Sequence, residues 1–231
     1  MISVMFMEDH NMEFFDYLFE DAAPGDLILV YGPPKVGKSI FCYQFLYSSL
    51  VGGEPCLYIV ADYGSRQLEQ RMMEFNWFLR PYIQNGDVYI IDLLTRLAGV
   101  KVEDSGTLKF SSVQNLTDLM VKVGVSTRSL FRKSSKFRAI LDSLTVIFAF
   151  NPPNLVLRLL KAYKARISEA RGIGVVVHTT GTVEPSIENS LMELADLKLC
   201  FDGEKIQAES SAGEKFVQYT ITDKGVKNIR G

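Results

Sequence analysis

The sequence predicts an α/β protein, a mostly parallel central sheet flanked by helices, with antiparallel strands at its C-terminal edge. Three observations carry this. Short apolar runs alternate with amphipathic stretches along most of the chain. Near the end, Glu204 to Ala208 and Phe216 to Thr222 read as strands joined by Ser210 to Gly213, with no helix between them. Finally, Gly32-Pro33-Pro34-Lys35-Val36-Gly37-Lys38-Ser39 fits G-x-x-x-x-G-K-[ST], a phosphate-binding loop that joins a strand to a helix.

Composition sets the bounds. The 231 residues suit one α/β domain, expected to span 1–231, and 47% of them are hydrophobic, which excludes general disorder. A formal net charge of −2 gives no electrostatic case for nucleic acid. Cys42, Cys56 and Cys200 are too widely spaced for a zinc site or a disulfide framework and are expected to be buried thiols. Met1 to Phe6 is apolar but short and without basic residues, unlike a signal sequence. No apolar run is long enough for a membrane span, so the expected compartment is the cytoplasm.

In chain order, Met12, Phe15, Leu18 and Phe19 share one helical face. Pro24-Gly25 turns the chain into Leu27 to Tyr31, an apolar run that reads as a buried strand. The glycine-rich loop follows, then a helix from Ile40 to Leu50 closed by Gly52 and Gly53. Gly32 and Gly37 let the backbone turn its amides toward phosphate, and the helix adds the positive end of its dipole. The whole loop, Gly32, Pro33, Pro34, Lys35, Val36, Gly37, Lys38 and Ser39, with Ile40 after it, is the candidate nucleotide cradle. Lys38 is placed to bridge the β- and γ-phosphates, and the Ser39 hydroxyl to ligate Mg²⁺. Lys35 either touches phosphate or faces solvent.

Pro55 to Ala61 reads as a second buried strand ending at Asp62, and Ser65 as the cap of a helix with Leu68, Met72 and Phe75 on one face. Asp87 to Leu94 reads as a third strand, 95–111 as a loop, and 112–123 as a short helix. The segment 122–138 carries Lys122, Arg128, Arg132, Lys133, Lys136 and Arg138 without an acidic residue. It is either a patch for an acidic partner or a solvated helix end and loop. Phe137 to Asp142 is a strand ending in a carboxylate, the Walker B pattern, which makes Asp142 the second candidate Mg²⁺ ligand. After Pro152-Pro153, Leu155 to Arg171 reads as a helix, Gly174 to His178 as a strand with the polar tip Thr179 to Thr182, and Ala195 to Phe201 as a further strand.

The loop "GPPKVGKS", the strand "LYIVAD" with its helix, "ILDSLT" and the closing "YTITDKG" together resemble the RecA superfamily of P-loop NTPases. Within it the chain is similar to single-domain, archaeal-type KaiC-like proteins, with RadB-like recombinase paralogues as near relatives. The resemblance spans most of residues 12–229. It implies a RecA-type core, ATP and Mg²⁺ as ligands, and often rings or filaments with ATP at subunit interfaces. It also puts Asp62 where the family has its water-activating glutamate, and Tyr63 where KaiC proteins have a second one. Aspartate is shorter by one methylene, so its carboxylate falls about 1.5 Å short, and about 1 Å of misplacement can cost roughly 100-fold in rate. The family's two cationic residues that reach a neighbour's γ-phosphate correspond to Thr222 and Lys224. His178 stands at the family's polar sensor position, with Thr179 beside it; the alternative is a histidine satisfied by nearby backbone. Residues 181–193 correspond to the DNA-contacting loop of the recombinases, yet hold Glu184, Glu188 and Glu193 and no Lys or Arg.

These readings lead to an ATP-binding protein with slow, Mg²⁺-dependent hydrolysis and a regulatory or signalling role. In that reading Lys38, Asp62 and His178 are the catalytic candidates, and a homo-oligomer or a protein or peptide partner is possible. The first alternative is a degenerate nucleotide sensor that recruits a protein. A DNA recombination accessory is opposed by the acidic 181–193 segment.

Overall fold

The structure is a computed structural model and describes residues 14–229. Residues 14–18 are helical and precede β1 (Leu27–Gly32), α1 (Lys38–Val51), β2 (Cys56–Val60), α2 (Ser65–Met73) and α3 (Arg80–Asn85). Then come β3 (Val88–Asp92), β4 (Leu108–Phe110), α4 (Leu116–Lys133), β5 (Arg138–Asp142), α5 (Leu144–Phe150) and α6 (Pro153–Glu169). The chain closes with β6 (Ile173–Thr179), α7 (Pro185–Leu194), β7 (Leu197–Phe201), β8 (Lys205–Ser210), β9 (Gly213–Thr222) and β10 (Gly225–Asn228).

The strands form one sheet in the order β10-β9-β8-β7-β1-β6-β5-β2-β3-β4. From β7 to β4 every pairing is parallel; β7-β8, β8-β9 and β9-β10 are antiparallel. Parallel strands need helices on both faces, and the side chains show why these do. In β1, Ile28 and Val30 enter one apolar core while Leu27 and Leu29 enter the other. The first core takes Phe41, Phe45 and Leu46 of α1 with Leu68 and Met72 of α2; the second takes Leu119, Leu130, Leu160 and Ile167 of α4 and α6. Alternation along each strand therefore dictates a three-layer arrangement.

Pairing register brings the chemistry to one edge. Tyr31 lies beside His178, Gly32 beside Thr179, and Val60 beside Asp142. The loop after β1, the end of β5, the residues after β2 and the tip of β6 thus meet at the carboxyl edge of the parallel strands, where ligands bind in open α/β sheets.

Several expectations need correction. Residues 95–111 are not all loop, because Leu108–Phe110 adds a short parallel strand to β3; three residues leave too little periodicity to read. The helix expected over 112–123 runs from Leu116 to Lys133, capped by the Asn115 side chain, which accepts from the Asp118 amide at 3.0 Å. Gly124 lies within it without ending it. Ser65 does not cap α2 but is its first residue; its amide donates to Asp92 at 2.6 Å, and the cap is Gly64. Residues 185–194 are a helix, with Pro185 in its first turn, where its missing N–H costs nothing. The helix after Pro152 begins at Pro153 rather than Leu155 for the same reason. Helices α3 and α5 and strand β10 were not anticipated. Cys42 and Cys56 are buried, but Cys200 is only half-buried. Of the apolar stripe near the start, Phe15 and Leu18 are in the core and Phe19 packs against it, while Met12 and Met1 to Phe6 lie outside the described residues.

Candidate nucleotide site

The loop between β1 and α1 is shaped by left-handed residues. Gly37 has φ 91° and Lys35 φ 66°, the latter a strained conformation for a residue with a Cβ. Such turns direct successive amides into one concavity, a nest for an anion. Gly32 is required for a different reason: a Cβ there would lie 2.0 Å from the Phe201 carbonyl oxygen of β7. Pro33, Pro34 and Lys35 are exposed, Val36 and Ser39 are half-buried, and Ile40 packs on the core from the first turn of α1.

Lys38 is 6% exposed, and its Nζ donates to the carbonyl oxygens of Gly32 at 2.9 Å and Pro33 at 2.5 Å. Burial pushes its pKa down, and the nearby Asp142 opposes that. An ammonium folded onto its own loop is held where a phosphate can take over its contacts.

Asp142, at the end of β5, is fully buried. Its Oδ1 accepts from the Ser39 hydroxyl at 3.2 Å and its Oδ2 from the Tyr58 hydroxyl at 2.8 Å. Burial, then the charge of Asp62, push its pKa up to about 6 against the pull of those two hydrogen bonds and Lys38. A carboxylate and a hydroxyl in contact are hard oxygen donors. They are the donor type that would hold Mg²⁺. Asp62 is exposed at the same edge, and its Oδ1 accepts from the Ser143 hydroxyl at 2.9 Å. Ser143 follows Asp142 directly, so both carboxylates are tied to one stretch of chain.

The structure therefore joins Gly32, Pro33, Lys38, Ser39 and Asp142 by direct contacts and places Asp62 one residue's reach away. His178 is fully buried at the tip of β6; its Nε2 faces Glu188 Oε1 at 3.1 Å. Burial lowers its pKa, and the Glu188 contact opposes this. Its partner is thus a carboxylate from α7 rather than backbone. The same Glu188 oxygen accepts from the Gly181 amide at 2.7 Å. Thr179 is fixed by its amide donating to Thr145 Oγ1 at 3.0 Å. Thr222 bonds within its own turn, its hydroxyl donating to the Gly225 carbonyl at 3.2 Å. Of the basic segment, Lys122 pairs with Asp118 and Asp104, Lys133 with Asp87, and Arg138 with Glu54. Those three charges are already neutralised.

Three residues near the site went unread in the sequence. Tyr58 and Ser143 reach the two aspartates, and Tyr219 of β9 donates to the Val36 carbonyl at 2.6 Å. Ile221 of the same strand stands over Gly37, where a Cβ would come within 2.6 Å of its Cδ1. The antiparallel strands thus brace the loop from the side. A hydroxyl in the middle of the otherwise apolar "CLYIV" was the one available signal for Tyr58.

A phosphate-binding loop on a parallel sheet, with a carboxylate at the end of the strand two places away, defines a P-loop NTPase of RecA-like fold. The chain belongs to the KaiC ATPase family, whose profile, "ATPase: KaiC", matches residues 11–195. It is similar to a UPF0273 protein of Pyrococcus horikoshii, 26% identical over 215 residues, covering 87% of this chain and 84% of that one. It is also similar to the circadian clock oscillator protein KaiC of Parathermosynechococcus lividus, 28% identical over 173 residues, covering 72% of this chain and 30% of that one. Among solved structures it matches a KaiC-like protein from Pyrococcus horikoshii with TM-score 0.70 and 18% identity, covering 93% of this chain and 94% of that one. That match shows the fold. Family membership supports a RecA-like ATP-binding protein. No helix among the described residues is long and apolar enough to cross a membrane.

Proposed function

We propose that the chain, acting as one domain over 1–231 in the cytoplasm, binds ATP with Mg²⁺ and hydrolyses it slowly in a regulatory or signalling role. The observation that carries this is the contact of Ser39 with Asp142 across 103 residues of sequence, beside a buried Lys38. Ser39 and Asp142 would hold Mg²⁺, which supplies charge neutralisation on the phosphates. Lys38 exchanges its Gly32 and Pro33 carbonyl contacts for phosphate oxygens and neutralises charge on them. The loop amides fix the phosphate chain. Asp62 is an exposed carboxylate at this edge, placed to orient a water, and Ser143 holds one of its oxygens. His178, turned to Glu188, is the candidate sensor at the β6 tip.

Slow turnover follows from the second acidic position. Tyr63 is buried, its hydroxyl hydrogen-bonded to that of Tyr43, with the Arg71 guanidinium 4.3 Å above its ring. It cannot act as a base there. The test is nucleotide affinity beside turnover. Tight binding that Lys38→Ala weakens, with slow turnover, supports the reading; brisk turnover abolished by Asp62→Asn overturns the slow part.

The burial of Tyr63 also favours a second reading, a nucleotide sensor that recruits a protein whether or not it hydrolyses. Partners captured in ATP, ADP and no nucleotide separate the two. The same set in all three conditions removes the sensor.

A further inference from the structure

We propose that Tyr58 is a positioning residue for the metal ligand Asp142: its hydroxyl holds Oδ2 so that Oδ1 stays turned to Ser39 and the incoming Mg²⁺. The inference rests on the nucleotide reading above and goes further, because it gives a role to a fully buried residue behind the metal ligand.

The geometry argues for it in steps. Tyr58 lies in the middle of β2 and is fully buried. Strand β2 pairs with β5 so that Tyr58 sits beside Ile140 and Val60 beside Asp142. The phenol therefore runs along the sheet face to the carboxylate two residues further up, meeting it at 2.8 Å. An ionised carboxylate accepts only, so Tyr58 must be the donor. The two oxygens of Asp142 are then divided between two hydroxyls, Tyr58 on Oδ2 and Ser39 on Oδ1. Of these, Ser39 can be drawn away to the metal, while Tyr58, inside the core, cannot. A buried carboxylate with one oxygen tied down has one orientation left to offer. Outer contacts of this kind hold metal ligands in place, and losing one commonly costs about 10- to 100-fold in metal affinity.

Neighbouring tyrosines supply an internal control. Tyr43 packs on Tyr58 with ring centroids 6.2 Å apart, but its hydroxyl bonds to that of Tyr63. Removing the Tyr43 hydroxyl disturbs the same buried cluster without untying Asp142.

The experiment measures binding of a fluorescent ATP analogue by the full chain, first in EDTA and then across a Mg²⁺ titration. Tyr58→Phe is expected to bind the analogue in EDTA as the wild type does, and to need about 10-fold more Mg²⁺ for half of the metal-dependent gain. Tyr43→Phe is expected to leave the Mg²⁺ midpoint within about twofold, an outcome that a merely structural role for the cluster would not give. In an Asp142→Asn background, Tyr58→Phe should add nothing further. A Tyr58→Phe protein that folds and keeps the wild-type Mg²⁺ midpoint overturns the inference. Where Tyr58→Phe does not fold, p-fluorophenylalanine at position 58 fills the hydroxyl's space with no proton to donate, and the same midpoint decides. If the wild type itself binds no analogue, or binds it without any Mg²⁺ dependence, the nucleotide reading has failed instead, and the two failures are distinct.

Discussion

At Asp142, burial and the charge of Asp62 act against two hydrogen bonds and the charge of Lys38. Its folded carboxyl, at about 6, holds a proton more tightly than the unfolded chain's carboxyl in the usual range near 4. Between those values the folded state binds more protons, so this group's contribution to stability falls as pH rises through that window. By about pH 7 the ionised, buried carboxylate costs on the order of 3 kcal/mol. Asp142→Asn is therefore expected to raise the melting temperature of the nucleotide-free protein near pH 7.5, and to show no such gain at about pH 3, where the carboxyl is neutral in both the folded and the unfolded chain. A gain that does not change with pH would contradict this. Lys38 is the complementary case. Removing it deletes charged hydrogen bonds to phosphate worth about 1.5–3 kcal/mol, so Lys38→Ala should weaken ATP binding roughly 10- to 150-fold by calorimetry.

At the scale of elements, the antiparallel strands do more than close the sheet. Strand β10 returns to the helix that follows the phosphate loop: Gln44 of α1 donates to the Val226 carbonyl at 3.0 Å and accepts from its amide at 2.7 Å. Gly225 makes that approach possible. It has φ 97°, and a Cβ would lie 2.5 Å from Gln44 Oε1 and 2.7 Å from the Trp77 ring. Gly225→Ala thus meets strain and overlap together, roughly 2–4 kcal/mol, and should lower the melting temperature by about 5–15 °C for a chain of this size. Gly53→Ala, also at positive φ but in open space, should cost less than half of that. Equal losses in the two would mean that the clasp between β10 and α1 is unimportant.

For the whole molecule, the site draws on β1, β2, β5 and α1, with β6 and β9 at its flanks, so a ligand there ties together most of the sheet. Nucleotide present at about 100 times its dissociation constant should stabilise the folded chain by about 2.7 kcal/mol. That corresponds to roughly 5–10 °C in melting temperature, measurable by differential scanning fluorimetry with ATP and Mg²⁺; in Lys38→Ala, with binding weakened roughly 10- to 150-fold, the gain should fall to about 0.3–1.4 kcal/mol. The acidic α7, with Lys122, Lys133 and Arg138 of the basic segment already paired, predicts no retention of single-stranded DNA at low salt.

The sequence by itself determined the phosphate loop, the strand ending in Asp142, the alternation that makes a parallel sheet, and the antiparallel close, because each is written in local spacing or apolar period. It marked Lys38, Ser39 and Asp142 by residue type at a fixed place in a strand-loop-helix pattern. Only the tertiary structure decided that Tyr58 ties Asp142, that Ser143 ties Asp62, that Glu188 faces His178, and that Tyr219 and Ile221 lean on the loop. These are contacts between strands and helices far apart in the chain, fixed by pairing register and sheet order, which no local period encodes. Helix α7 and strand β10 were hidden for the same reason: each is stabilised by what it packs on rather than by its own pattern.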